Sequence, residues 1–322
     1  MTRQHPNRST GSYDIFNEMP ISALDTNADL YVNLLKESLT DALHDHKYYW
    51  PLRRPKSLLK RVVFDSLAAR GIIPVRVLDS SIREEGPERP PSGPAWLEVT
   101  SAHSLLGRQR LNNLQWCVED VLKRGVPGDF IETGVWRGGA CILMRAILKA
   151  RGVRDRKVWA ADSFEGLPKP DPARYPVDRG SPFHEDHGFA VSLEEVRRNF
   201  EKYGLLDDQV EFVKGWFCET LPKLVGHTWG VIHLDGDMYQ STFEALVNLY
   251  PRLSPGGYVI IDDFGAVPAC RQAVLDFRQN NSIKEEIREI DWSGVYWQRE
   301  TAQRVDSPLS IDHSGKGAPL GV

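Results

Sequence analysis

Apolar positions recur at helical spacing in the first part of the chain, then change to short runs separated by helical stretches from about residue 128 onward. Residues 25–43 carry Leu30, Val32, Leu34, Leu35 and Leu39 among polar neighbours and predict a helix. A basic stretch at residues 53–61 reads as a solvated face, and a second helix is predicted over residues 58–70, ended by Gly71. Residues 83–94, REEGPERPPSGP, predict a linker, because proline lacks the N–H and glycine the stiffness that helix or ladder needs. Leu106, Leu111, Leu114, Val118 and Leu122 then predict a helix over residues 105–123.

Strands are expected at residues 129–135, 157–161, 210–213, 230–234 and 258–261, most of them separated by helical segments. Such alternation signals a parallel sheet covered by helices on both faces. Two Ser-x-x-Glu patterns, Ser192 with Glu195 and Ser241 with Glu244, read as capping boxes, and Gly204 as a left-handed stop. Residues 283–290 and 294–298, joined by Asp291-Trp292-Ser293, predict an antiparallel hairpin closing the sheet. The expected organisation is a flexible segment at 1–24, a mainly helical region with linker at 25–94, an α/β catalytic domain at 95–300 and a flexible tail at 301–322.

With 322 residues, 41% of them hydrophobic, the chain is long enough for one such domain and an N-terminal addition. A net charge of -4 gives no basic field for nucleic acid. No apolar run reaches the roughly 18–20 residues of a membrane span. Cys117, Cys141, Cys218 and Cys270 form no C-x-x-C pair, and without a signal sequence they are expected to be free thiols in a reducing cytoplasm.

Chemistry concentrates at the expected strand ends. The first strand runs into Glu132-Thr133-Gly134-Val135-Trp136-Arg137-Gly138-Gly139. Gly134 and Gly138 permit close backbone approach to a ligand, and the following helix offers unpaired N–H groups. The pattern is not the G-x-G-x-x-G of a nicotinamide oxidoreductase. A carboxylate at Glu132 would repel pyrophosphate but accept hydrogen bonds from the aminoacyl end of S-adenosylmethionine. The second strand ends in Asp162-Ser163, where Asp162 suits two ribose hydroxyls or a turn cap, and Ser163, in the adjoining turn, is a further candidate cofactor contact. Gly215 and Trp216 follow the third strand and could bracket an adenine; Trp216 serves equally well as a core aromatic.

The fourth strand finishes in His233-Leu234-Asp235-Gly236-Asp237 and the fifth in Asp262-Asp263. In a parallel sheet these ends share one crevice, and converging carboxylates repel unless a cation lies between them. Hard oxygen donors favour Mg²⁺, with Asp235, Asp262 and Asp263 as ligands and Asp237 as a turn residue or supporting partner. Asp235 is also the candidate general base; His233 is its rival, read more readily as a packed core histidine.

GDFIETGVWRGGA, VWAADSFEGLP, LDGDMYQST, SPGGYVIIDDFG and PACRQAV, in this order, resemble the macrocin O-methyltransferase family across residues 25–299. The resemblance implies a Rossmann-like class I methyltransferase sheet and S-adenosylmethionine- and Mg²⁺-dependent methylation of a deoxysugar hydroxyl on an antibiotic or other secondary metabolite. A catechol or phenol O-methyltransferase of the cation-dependent type is the alternative. Metal binding carries over onto Asp235, Asp262 and Asp263, the base onto Asp235, and cofactor contacts onto Glu132, Gly134 and Asp162. Ser104-Leu105 stands where the family usually has Thr-Met, keeping a hydroxyl beside the cofactor; His233 replaces a common arginine, and residues 53–81 look longer than usual. Family members are commonly oligomeric, so a homo-oligomer acting on a glycosylated small molecule is expected. Residues 170–190, rich in Pro, Gly, Asp and His, are the expected substrate gate.

Overall fold

The computed structural model describes residues 26–43, 48–51, 55, 57–70, 72, 75–78 and 102–300. The expected N-terminal segment at 1–24, the linker at 83–94 and the tail at 301–322 lie outside the described residues.

Helix α1, Asn27–Leu39, begins where the Thr26 hydroxyl accepts the Asp29 N–H at 3.2 Å. Of the five apolar positions expected to form its stripe it buries Val32, Leu35 and Leu39, while Leu30 and Leu34 are exposed. Strand β1, Tyr48–Pro51, helix α2, Leu58–Ala68, and strand β2, Val75–Leu78, follow. β1 and β2 pair antiparallel in a small sheet of their own, which the helical reading of this region does not anticipate. Strands of four residues are too short to impose a visible alternation, and these two pair across an intervening helix. Helix α3 occupies Arg108–Lys123, starting after Gly107 and so later than the apolar spacing suggests.

The main sheet is built from β3 (Asp129–Thr133), β4 (Val158–Asp162), β5 (Val210–Lys214), β6 (Trp229–Leu234), β7 (Leu253–Ile261), β8 (Arg288–Glu289) and β9 (Val295–Gln298). Between them lie α4 (Gly139–Ala150), α5 (Leu193–Lys202), α6 (Phe217–Thr220), α7 (Tyr239–Leu249) and α8 (Pro268–Asn280). The strand order is β5-β4-β3-β6-β7-β9-β8, parallel through β7, with β9 antiparallel to β7 and to β8. This is the class I methyltransferase arrangement. The expected hairpin is present, but its first strand shrinks to Arg288–Glu289, both exposed.

Alternate strand residues feed two cores. Phe130, Val158, Val231 and Ile260 face α1, α3, α4 and α5, whereas Ile131, Ala161, Ile232 and Val259 face α7 and α8. Burial on both faces explains the near-continuous apolar runs of β6 and β7. Ser192 caps α5 as expected, its hydroxyl accepting the Glu195 N–H at 3.2 Å, and Gly204 follows the helix with φ +63°. The second expected capping box is wrong. α7 begins at Tyr239, so Ser241 already lies within its first turn and is buried. The cap arrives from a distance: the Asp178 carboxylate accepts the N–H groups of Tyr239 at 2.8 Å and Gln240 at 2.9 Å.

Candidate active site

The sheet order reverses beside β3, which has β4 on one side and β6 on the other. In open α/β sheets this switch point opens a crevice at the carboxyl ends of the strands. Trp136 (φ 47°), Phe164 (φ 57°) and Asp237 (φ 56°) adopt left-handed backbone in the turns after β3, β4 and β6, where non-glycine residues seldom tolerate it. Strain is therefore concentrated around the crevice.

Gly134 fits only without a side chain: with φ +83°, a Cβ there would lie 1.7 Å from the Asp235 carbonyl oxygen. The first turn is thereby pressed against the acidic end of β6. Gly138 ends the turn in left-handed backbone and starts α4. Glu132 is buried beneath it, with Oε2 accepting the Cys141 N–H at 3.0 Å and Oε1 lying 3.2 Å from His233 Nδ1. Burial opposes the charged imidazole of His233, but the hydrogen bond and charge of Glu132 outweigh it and raise its pKa. His233 is only 1% exposed, packed beneath the crevice floor.

Asp162 Oδ2 accepts the Val135 N–H at 2.6 Å and its Oδ1 the Phe164 N–H at 2.7 Å. It ties the first two turns together. Burial raises its pKa, with those backbone donors opposing the rise. Ser163 closes its own turn, its hydroxyl donating to the Gly166 carbonyl at 2.7 Å. Gly215 donates its N–H to the Asp162 carbonyl at 2.9 Å, which brings Gly215 and the half-buried Trp216 to the same edge. Ser104 lies against the start of α4, where a Cβ on Gly139 would be 2.4 Å from Ser104 Cβ.

On the other side of β3, Asp235, Asp262 and Asp263 each direct a carboxylate oxygen to within 4.8 Å of the other two. Asp262 and Asp263 are buried, and Asp235 is partly exposed. Burial and the charges of Asp262 and Asp263 push Asp235 well above the usual carboxylate range; burial and Asp262 push Asp263 up to about 7. Asp237 is raised as well, by burial and then Asp263, and its N–H donates to Asp263 Oδ2 at 3.3 Å. Among the described residues, Asp262 Oδ1 is buried without a hydrogen-bond partner. Hard oxygens, mutual repulsion and an orphaned acceptor suit a small divalent cation.

The profile of the macrocin O-methyltransferase (TylF) family matches residues 28–299. The chain belongs to this family. A Streptomyces olivaceus enzyme, 8-demethyl-8-(2,3-dimethoxy-alpha-L-rhamnosyl)-tetracenomycin-C 4'-O-methyltransferase, is 56% identical over 65% of this chain and 80% of its own. Mycinamicin III 3''-O-methyltransferase of Micromonospora griseorubida is 44% identical over 85% of this chain and 98% of its own. Among solved structures, the O-methyltransferase NovP superposes with a TM-score of 0.70 at 42% identity, covering 85% of this chain and all of NovP, 100%. The protein is a class I S-adenosylmethionine-dependent O-methyltransferase, as the five motifs imply.

The site of this family member also contains residues that the motif reading does not single out. Arg110 of α3 donates from Nη1 to Asp262 Oδ2 at 2.5 Å and from Nε to Asp291 Oδ2 at 2.7 Å. Burial works against its charge, but Asp262 and Asp291 overcome this and raise its pKa. Ser293 donates its hydroxyl to the Asp262 carbonyl at 2.7 Å. The Asp291-Trp292-Ser293 turn is thus the back wall of the acidic cluster as well as a hairpin connection. One signal was available: Arg110 stands four residues after Leu106 and four before Leu114, a charge on a buried stripe.

Proposed function

We propose that this enzyme transfers the methyl group of S-adenosylmethionine to a sugar hydroxyl on an antibiotic or related secondary metabolite, with Mg²⁺ held by Asp235, Asp262 and Asp263. The observation that carries the metal reading is the convergence of those carboxylates, together with an Asp262 Oδ1 that is buried and has no hydrogen-bond partner among the described residues. The sugar reading is supported by a relative whose substrate is a rhamnosyl tetracenomycin.

In this reading the turn at Gly134 and Gly138 admits the cofactor backbone-close, and Glu132 sets negative charge beneath its aminoacyl end. Asp162 uses the lone pairs left by Val135 and Phe164 for the ribose hydroxyls, with Ser163 holding that turn in shape. Gly215 and Trp216 border the adenine, and Ser104 adds a hydroxyl at the start of α4. When bound, the cation supplies charge that lowers the acceptor hydroxyl's pKa and helps orient it for in-line transfer. Asp235, the most open of the three acids, takes the hydroxyl proton on its carboxylate. Residues 170–190 close over the substrate: the Trp136 indole donates to the Gly188 carbonyl at 3.0 Å, and Tyr175 Oη to Glu244 Oε1 at 3.1 Å.

The test is transfer of labelled methyl from S-adenosylmethionine to a panel of rhamnosylated and other deoxysugar-bearing aglycones, with and without EDTA. The expected result is methylation of a glycosylated acceptor, abolished by chelation and restored by Mg²⁺. Full turnover in thoroughly chelated enzyme would overturn the metal reading, and methylation of simple catechols alone would overturn the sugar reading.

A further inference from the structure

We infer that Arg110 determines which divalent cation the acidic site accepts, by occupying one oxygen of Asp262 so that only the other faces the metal. The inference rests on the metal reading above. Asp262 Oδ2 receives Arg110 Nη1 at 2.5 Å, while Oδ1 is buried and has no hydrogen-bond partner among the described residues. One oxygen of this carboxylate is therefore taken by a resident guanidinium, and the other is left for the cation we propose.

The guanidinium is fixed in that task. Its Nε is held by Asp291 Oδ2 at 2.7 Å, and Asp291 Oδ1 is held in turn by the N–H groups of Ser293 at 2.9 Å and Gly294 at 2.7 Å. A Cβ on Gly294 would lie 3.4 Å from Arg110 Nε, so the turn packs directly against the arginine. The Trp292 ring lies 5.8 Å from the guanidinium carbon. Side-chain exposure is 14% for Arg110, 9% for Asp262 and 11% for Asp291, so water competes weakly for these bonds. The Asp262 main chain is pinned by Ser293 Oγ at 2.7 Å. A second ligand is restrained similarly, because Asp263 Oδ2 accepts the Asp237 N–H at 3.3 Å.

The consequence follows from cation size. Mg²⁺ takes a near-ideal octahedron with few carboxylates and several waters, whereas Ca²⁺ takes more oxygens at longer distance and readily binds carboxylates through both. Holding Asp262 to one oxygen suits the smaller ion and denies the larger one its bidentate contact. A fork is needed for this. A lysine at position 110 would keep the charge but offers one nitrogen, which cannot reproduce the planar two-point grip on Asp262 and Asp291.

Calorimetric titration of the purified full chain with Mg²⁺ and, separately, Ca²⁺ at pH 8 tests the inference in wild type, Arg110→Met, Arg110→Lys and Asp291→Asn, each checked for native circular dichroism. Wild type is expected to bind Mg²⁺. The ratio of Ca²⁺ to Mg²⁺ affinity should rise by about tenfold in Arg110→Met, as the freed oxygen admits bidentate binding. Arg110→Lys and Asp291→Asn should shift the ratio the same way by less, and they carry the test if Arg110→Met does not fold. A purely structural role would weaken both ions alike. Ratios unchanged within twofold in the folded variants overturn the inference while leaving the metal reading standing; a wild type that binds neither ion overturns both.

Discussion

Asp178→Ala is the perturbation whose size the structure defines best. Asp178 is 1% exposed and caps α7 from within residues 170–190, accepting the Tyr239 N–H at 2.8 Å and the Gln240 N–H at 2.9 Å. Alanine removes both acceptors and the charge facing the helix N-terminus. Losing a capping side chain costs about 0.5–2 kcal/mol. The charge's interaction with the helix end adds about 0.3–1 kcal/mol. Burial of the carboxylate outweighs the two backbone donors and raises its pKa, which cancels the charge contribution and leaves the loss of the two hydrogen bonds. A net loss of about 2 kcal/mol is the result, equivalent to about thirtyfold in a local opening equilibrium. Hydrogen exchange read by mass spectrometry is the assay. Exchange should accelerate by about that factor in residues 170–190 and the first turn of α7, with β3 and α4 unchanged. S-adenosylhomocysteine should slow exchange in residues 170–190 of wild type if they form the gate. Unaltered exchange in Asp178→Ala, or acceleration spread evenly over the sheet, would refute the tether.

Asp162→Ala should weaken S-adenosylmethionine binding by about 1–3 kcal/mol, measured by calorimetry; unchanged affinity in a folded variant would reduce Asp162 to a turn residue. Lys36 is 3% exposed and donates from Nζ to Asn112 Oδ1 at 2.6 Å; burial, then the charge of Arg108, brings its pKa down to about 7. Between that value and the ordinary 10.5 the unfolded chain holds a proton that the folded chain has shed, so this group's contribution to stability rises with pH. The melting-temperature advantage of Lys36→Met over wild type should therefore be largest near pH 6 and shrink toward pH 9; a difference independent of pH would contradict the assignment. Asp235→Asn should lose about 10² to 10⁴ in single-turnover rate at saturating Mg²⁺, while His233→Gln should lose far less. The reverse order would move the base to His233.

How much of this was legible in the sequence depended on where each interaction lay along the chain. The sheet is readable because β6 and β7 are buried on both faces and leave long apolar runs. The acidic cluster is readable because Asp235, Asp262 and Asp263 each follow such a run. Gly134 announces a close approach, although only the fold shows that the approaching group is the Asp235 carbonyl. Ser241 misleads because Ser-x-x-Glu can fall within a helix, where the serine has no exposed N–H to cap; the actual cap, Asp178, comes from a loop remote in sequence. Arg110 and Asp291 are obscured for the same reason. Arg110 shows only as a charge on the apolar stripe of α3, and Asp291 only as a turn residue, until α3 and the β8–β9 turn converge on Asp262.

A divalent cation held by Asp235, Asp262 and Asp263, as proposed above, can be located by anomalous diffraction. Crystals of the full chain soaked in Mn²⁺, an oxygen-preferring ion that can stand in for Mg²⁺, would be measured at a wavelength where manganese scatters anomalously. One dominant anomalous peak is expected, bonded to a carboxylate oxygen of each of the three aspartates, with Asp262 contributing Oδ1 and Arg110 still on Oδ2. An anomalous map with no peak among these carboxylates, in crystals where the crevice is open to solvent, would contradict it.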